Sequence, residues 1–258
     1  MNKTITYLIA LVALMITSIG ASAQGGLAPL VNSTHSYSVI PGAVGNTFAW
    51  TIVGDTPVTD YVLTNGTTTT ASILWKTEGT YTLKFTETNA TTPCNTVIQN
   101  HVVVGSNTFA VTTPVALAPM CNAASGIPNY GPATVATTVQ FVVTMATGNA
   151  NATFNPNWEF TFTLTQGTGA TIGTVVSSAG TLSGTGPYTV TAVPSSGGAG
   201  TVTISLPLTA DITTVNTSAI LITSAKELQY KTPSNIIGNK TATQTVNAIP
   251  ATTSIITD

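Results

Sequence analysis

Two histidines, eight carboxylates, two cysteines and three tryptophans are the side chains with which this 258-residue chain could do chemistry. His35 and His101 lie far apart, and neither sits in a His-Glu-x-x-His or comparable spacing, so they read as strand or surface residues and not as metal ligands. Asp55, Asp60, Glu78, Glu87, Glu159, Asp211, Glu227 and Asp258 contain no Asp-x-Asp-x-Asp-Gly calcium loop. A glycosidase needs two carboxylates across a cleft; a fold can bring distant acids together, but none of these is embedded in a recognisable motif. Ser183 lies near glycines without the Gly-x-Ser-x-Gly spacing of a nucleophile elbow, which leaves a flexible turn. No catalytic residue, cofactor or metal is therefore expected. Trp50 and Trp75 could stack on sugars, yet each is in phase with an apolar neighbour two residues away, which favours burial. Trp158, between Asn155-Pro156-Asn157 and Glu159, is the aromatic expected as an exposed contact.

The elements that would carry these residues are strands. Ser72 to Trp75 is a short apolar run, Lys76-Thr77-Glu78-Gly79 breaks it, and Tyr81, Leu83 and Phe85 then alternate with Thr80, Thr82, Lys84 and Thr86. This pattern predicts a hairpin over Ile73 to Phe85 with its aromatic face in a core and its Thr/Lys face in water. Ser36 to Ile40, Phe48 to Ile52 and Cys94 to Val104 read as further strands, with turn signals at Pro41-Gly42, Asn65-Gly66 and Gly105-Ser106-Asn107. Later strand candidates are Phe109 to Leu117, Thr134 to Met145, Trp158 to Leu164, Thr171 to Val176, Tyr188 to Val193, Thr201 to Leu208, Ala219 to Thr223 and Thr241 to Ile249. One short helix is expected around Ser224 to Leu228.

Composition limits the partners. Charged residues are 5% of the chain, against about 25% in an ordinary soluble domain, and there is no arginine. A net charge of −2 excludes a basic nucleic-acid footprint. Threonine makes up about a fifth of the chain and, being β-branched, suits the solvated faces of strands. A surface so poor in charge lacks one of the usual guards against edge-to-edge pairing, so association is expected.

The start of the chain reads as an export signal. Lys3 precedes an apolar run from Tyr7 to Ile16, and Ala21-Ser22-Ala23 supplies the small residues that a signal peptidase requires, so cleavage between Ala23 and Gln24 is expected. The run is shorter than the roughly 20 residues that span a bilayer, and no second one follows, so no membrane span is expected in the mature chain. The remaining length suits two sandwich-sized domains. The expected layout is 1–23 signal peptide, 24–34 linker, 35–105 first β-sandwich, 106–250 second β-sandwich and 251–258 tail.

Within 35–105 the order Tyr37-x-Val39, Trp50-x-Ile52-x-Gly54, Ile73-x-Trp75, Gly79-x-Tyr81-x-Leu83-x-Phe85-x-Glu87, Cys94 and Val102-Val103-Val104 resembles the PKD-like, immunoglobulin-like domains of secreted surface proteins from gliding bacteria with type IX secretion. The resemblance implies that Tyr37, Trp50, Trp75 and Tyr81 are core anchors of a β-sandwich, and that the domain is a spacer or adhesive module and not an enzyme. The expected protein is thus all-β, with two tandem immunoglobulin-like sandwiches, exported to the cell surface or beyond, and structural or adhesive. A carbohydrate-binding module and a hydrolase with a site hidden from the sequence are the alternatives.

Two further expectations concern links. An exported chain meets an oxidising compartment, and Cys94 and Cys121 flank the proposed domain junction, so they are expected to pair, stabilising the fold by roughly 3.5 kcal/mol; two unpaired buried thiols are the alternative. The stretch Thr241 to Thr257 mixes Thr or Ser with Ala, Val and Ile. Such a strand either closes its own sheet or adds to the edge of another copy or another surface protein, and the second outcome would build a filament.

Overall fold

The computed structural model describes residues 28–53, 59–113, 117–121, 134–147, 155–211, 213–235 and 240–249. The signal segment with Ala23 and Gln24, and the tail 251–258, lie outside the described residues. Every element among the described residues is a strand, so the fold is all-β. No helix there is long and apolar enough to cross a membrane. The chain divides into two compact units, Met1–Asn107 and Thr108–Asp258.

Among the described residues six strands build the first unit: β1 (Thr34–Ser38), β2 (Thr47–Val53), β3 (Tyr61–Thr64), β4 (Thr70–Trp75), β5 (Gly79–Thr88) and β6 (Asn95–Val104). They form two antiparallel sheets, ordered β1-β4-β3 and β2-β5-β6. Between them lies a core of Trp50, Ile52, Tyr61, Ile73, Trp75, Tyr81, Leu83, Phe85 and their neighbours. This strand order is that of an immunoglobulin constant-type sandwich, B-E-D against C-F-G. Among the described residues the position of a first strand is held by a parallel bridge between Leu30 and Gly105. Residues 28–34, expected as linker, are therefore packed into the unit; Pro29 and Ser33 are buried and β1 begins at Thr34.

The expected hairpin over Ile73 to Phe85 is corrected. Its two arms are β4 and β5, which belong to different sheets, and Lys76 to Glu78 crosses between them. A hairpin would have laid both aromatic arms side by side on one sheet. On opposite sheets each arm covers the other, and the Trp75 and Tyr81 rings meet at 4.8 Å. The true hairpins are β3–β4, turning at Asn65 with φ 59°, and β5–β6, closed where Asn89 N–H donates to the Cys94 carbonyl at 2.9 Å.

The second unit contains β7 (Ala110–Thr112), β8 (Met120–Cys121), β9 (Thr134–Ala146), β10 (Trp158–Thr165), β11 (Thr171–Ile172), β12 (Val176–Ser177), β13 (Thr181–Ser183), β14 (Tyr188–Val193), β15 (Ala199–Asp211), β16 (Asn216–Glu227) and β17 (Thr241–Asn247). One sheet runs β13-β14-β10-β16-β17-β8; the other runs β11-β15-β9-β7, with β12 also on β15. Valines, isoleucines and leucines of β9 and β15 meet Phe160, Phe162, Ile220 and Ile222 of β10 and β16 in its core.

Two expectations fail here. The helix around Ser224 to Leu228 is the end of β16, where Ser224, Ala225, Lys226 and Glu227 pair with Thr161, Phe160, Glu159 and Trp158. Helix-forming side chains yield there to a neighbouring strand that needs a partner. The strand-donating role of Thr241 to Thr257 is also corrected for its described part. β17 pairs antiparallel with β16 and parallel with β8, and it buries Ala242, Gln244 and Val246 in its own sandwich.

Candidate functional site

Five acids hold loops and strands in place. Glu87 accepts hydrogen bonds from Asn46 Nδ2 at 2.6 Å and from Gly42 N–H at 3.0 Å, and these hold its pKa below the usual carboxylate value while they pin the β1–β2 loop. Asp211 accepts from the Thr213 hydroxyl and N–H at 2.6 and 2.7 Å, which lower its pKa and shape the β15–β16 turn. The buried Glu227 accepts N–H bonds from Gln229, Tyr230 and Thr232, at 2.7 to 3.0 Å, and so closes the loop after β16. Glu159 pairs with Lys226 at 3.0 Å across β10 and β16 and also accepts from Thr191. Glu78 accepts from Ser106 Oγ at 2.7 Å.

His35 is buried, its Nε2 lies 2.9 Å from Ser33 Oγ, and desolvation pushes its pKa down to about 4. It is neutral at pH 7 and forms part of the wall of the first unit. His101 stands on the solvent face of β6 with Nδ1 3.3 Å from Thr82 Oγ1. Among the described residues no group of three His, Cys, Asp or Glu could hold a metal ion.

The aromatic residues have structural tasks. Trp75 is fully buried and its Nε1 donates to the Tyr37 hydroxyl at 3.2 Å; Tyr37 itself is half-buried at the edge of the core. Trp50 Nε1 donates to the Thr68 carbonyl at 2.8 Å. The Tyr81 hydroxyl donates to the Thr77 carbonyl at 2.8 Å, at the corner where the chain enters β5. A Tyr at the start of this strand, bonded back to the preceding corner, and a buried Trp on β2 are two marks of the immunoglobulin fold. From the sequence, Gly79 reads as the end of a break between two apolar runs, which misses the corner. A Tyr two residues after the glycine that opens a strand was the available clue.

Trp158 is not an exposed contact. It is fully buried at the start of β10 and stacks on Phe160 at 5.3 Å, which stacks on Phe162 at 5.6 Å. Its period-two phase with those phenylalanines outweighs the polar residues before it. The backbone of Gly200 packs against it, since a Cβ there would stand 2.7 Å from Trp158 Nε1. With Trp50 at 7% exposure and the other two tryptophans at 0%, no indole face is open for a sugar.

Nor do the cysteines pair. Cys94 and Cys121 are both free and exposed. Cys94 immediately precedes the ten-residue β6, so about 33 Å of strand separates it from the end of the first unit.

What the first unit offers to solvent is a strand edge beside a small apolar cleft. β6 is the last strand of its sheet, and residues 95–101 are exposed along it. Val97, Ile98 and Val103 are 45%, 52% and 53% exposed. Ile98 lies opposite Phe85, on the core side of the sheet. There, with Tyr37, Val39, Trp50 and Leu83, it lines a cleft of about 90 Å³ between β6 and β1, the outer strand of the facing sheet. Such a cleft is well below the 300 Å³ or more of an ordinary small-molecule site. It suits side chains of an added strand better than a free substrate.

Strand order and the tyrosine corner place the protein in the class of immunoglobulin-like β-sandwiches. No protein-family model matches the chain, and no curated protein does. Among solved structures, it is similar to the fibronectin(III)-like modules of Clostridium thermocellum CbhA at 11% identity, over 86% of this chain and 89% of that one, with a TM-score of 0.27. The Yersinia pseudotuberculosis adhesin InvE is 12% identical over 87% of this chain, which spans 57% of that structure, with a TM-score of 0.26. The adhesin CfaE of enterotoxigenic E. coli is 8% identical, over 87% of this chain and 97% of that one, with a TM-score of 0.33.

Proposed function

We propose that this is an exported, non-enzymatic protein of the cell surface or an extracellular assembly, acting as a structural or adhesive module. The observation that carries this reading is the division of labour among its side chains. Glu78, Glu87, Glu159, Asp211, Glu227 and His35 are engaged in local contacts, while a nearly uncharged strand edge is open to solvent. The export signal ending at Ala23 and the resemblance of 35–105 to PKD-like domains of gliding bacteria support the same reading. The partners that suit it are other surface proteins or further copies of the chain. The carbohydrate-binding alternative loses its motive with the burial of all three tryptophans.

The test uses intact source cells. Brief protease treatment followed by mass spectrometry of the released peptides should recover both units, and a deletion strain should attach less well to surfaces or to its neighbours. Recovery only after cell lysis overturns the surface reading. Turnover of generic ester or glycoside substrates by the purified chain overturns the non-enzymatic one.

A further inference from the structure

We propose that β6 is a self-pairing edge, joining antiparallel to β6 of a second copy about a two-fold axis centred on Asn100. The inference deepens the surface role just proposed and takes its meaning from it, although a monomeric chain would leave surface display standing.

The backbone supplies the first argument. Gly105 donates its N–H to the Pro29 carbonyl and accepts from Val31 N–H, both at 2.9 Å, so both its polar groups point away from β5. Directions alternate along a strand, so the N–H and C=O groups of Val97, Gln99, His101 and Val103 also point outward. Among the described residues no strand pairs with that side of β6; only the Leu30–Gly105 bridge touches its end. The bridge sets the limit of any added strand, leaving Val97 to Val103 for a partner.

Side chains supply the second. Edge strands are usually guarded by Lys, Pro or a bulge, whereas β6 reads NTVIQNHVVV and pairs with β5 without a register shift. A two-fold centred on Asn100 sets Val97 opposite the partner's Val103 on the solvent face. It sets Ile98 opposite the partner's Val102 on the core face and Gln99 opposite the partner's His101. The two valines that stand half-exposed on the solvent face in one copy thus cover each other across two. Ile98, at the mouth of the cleft, gains an apolar neighbour. Residues of equal parity face each other in this register, so the outward groups of the four odd positions form up to about eight main-chain hydrogen bonds. No charged side chain on β6 opposes the approach of an identical strand. A single edge from Val97 to Val103 is short beside the roughly 20–30 residues a side of a stable complex, so association is weak and shows at high concentration. The two-fold closes on itself and yields a dimer, not a fibre.

The test uses the chain from Gln24 to Asp258 with Cys94→Ser and Cys121→Ser. Asn100→Cys places its new thiol against its own copy at a non-hydrogen-bonded pair, within disulfide reach, whereas Gln99→Cys faces His101 of the second copy. Mild oxidation should therefore give a covalent dimer with Asn100→Cys and little with Gln99→Cys. In sedimentation, the chain with native Asn100 and Gln99 should show a reversible dimer, weakened about tenfold or more by Val97→Lys with Val103→Lys. These two positions are on the solvent face, so the melting temperature should be unchanged. A monomer at every concentration, a dimer indifferent to the two lysines, or equal cross-linking at both positions overturns the proposal. Open-ended oligomers would assign the edge to a different segment of the neighbouring copy.

Discussion

The two units are variations on one plan and differ in how they finish it. β1-β4 against β2-β5-β6 in the first unit corresponds to β9-β15 against β10-β16-β17 in the second. Each last strand meets an earlier stretch in parallel, Leu30 with Gly105 in one and β8 with β17 in the other. The second unit adds strands around this frame. β7, β11 and β12 extend one sheet, β13 and β14 extend the other, and Thr243 accepts from Leu117 N–H at 3.0 Å along the outer side of β17. Its buried apolar cluster is about twice the size of the other among the described residues. Among the described residues the first unit stops at six strands, and none of them pairs with the outer side of β6. The same frame therefore gives a larger body whose β17 is covered by β8 in one case, and a smaller body whose β6 has no strand beyond it among the described residues in the other.

This comparison can be broken most forcefully in the smaller core. Trp75→Ala should cost about 3–5 kcal/mol, a large fraction of the stability of a small domain. Hydrogen exchange with mass spectrometry should then show β1 to β6 losing protection while β9, β10, β15 and β16 keep theirs. Equal loss in both units would contradict two separate cores.

Acid should separate the units next. Both histidines lie in the first unit. Burial lowers the pKa of His35 in the folded state to about 4, against 6.5 when unfolded. The unfolded chain thus binds the proton first, and the stability due to neutral His35 is intact above pH 6.5 and lost as the pH falls toward 4. The full loss is about 3 kcal/mol. Protection of β1 and β4 should decline between pH 6.5 and 5 in the parent, and His35→Gln should remove that decline while leaving a lower plateau.

Tyr81→Phe sharpens the comparison on a smaller scale. It removes the bond to Thr77 and should cost about 1 kcal/mol, read as a lower denaturant midpoint for the first unit alone. No stability change should follow from reduction, because Cys94 and Cys121 are free; thiol labelling of the native chain should count two.

Much of the fold was legible because burial in a sandwich has period two. Val202, Ile204, Leu206 and Leu208 alternate into the core along β15, and Tyr81, Leu83 and Phe85 share one side of β5. Which sheet a strand joins was not legible, since Trp75 and Tyr81 show the same alternation whether their strands pair or face each other. The burial of Trp158 was present in its phase with Phe160 and Phe162 but was hidden by the polar residues before it. The open edge could not be read at all. Asn95 to Val104 looks like any strand until the structure shows that no neighbour lies beyond it among the described residues.

The contrast between β6 and β17 is tested most directly by residue-resolved amide exchange across a dilution series. At low concentration the amides of Val97, Gln99, His101 and Val103 should exchange rapidly while those of Ile98, Asn100 and Val102, bonded to β5, are protected. Raising the concentration should protect the first set and leave β17 unchanged. Protection of Val97, Gln99, His101 and Val103 even at the lowest concentration would mean that the chain covers its own edge, and would contradict the account.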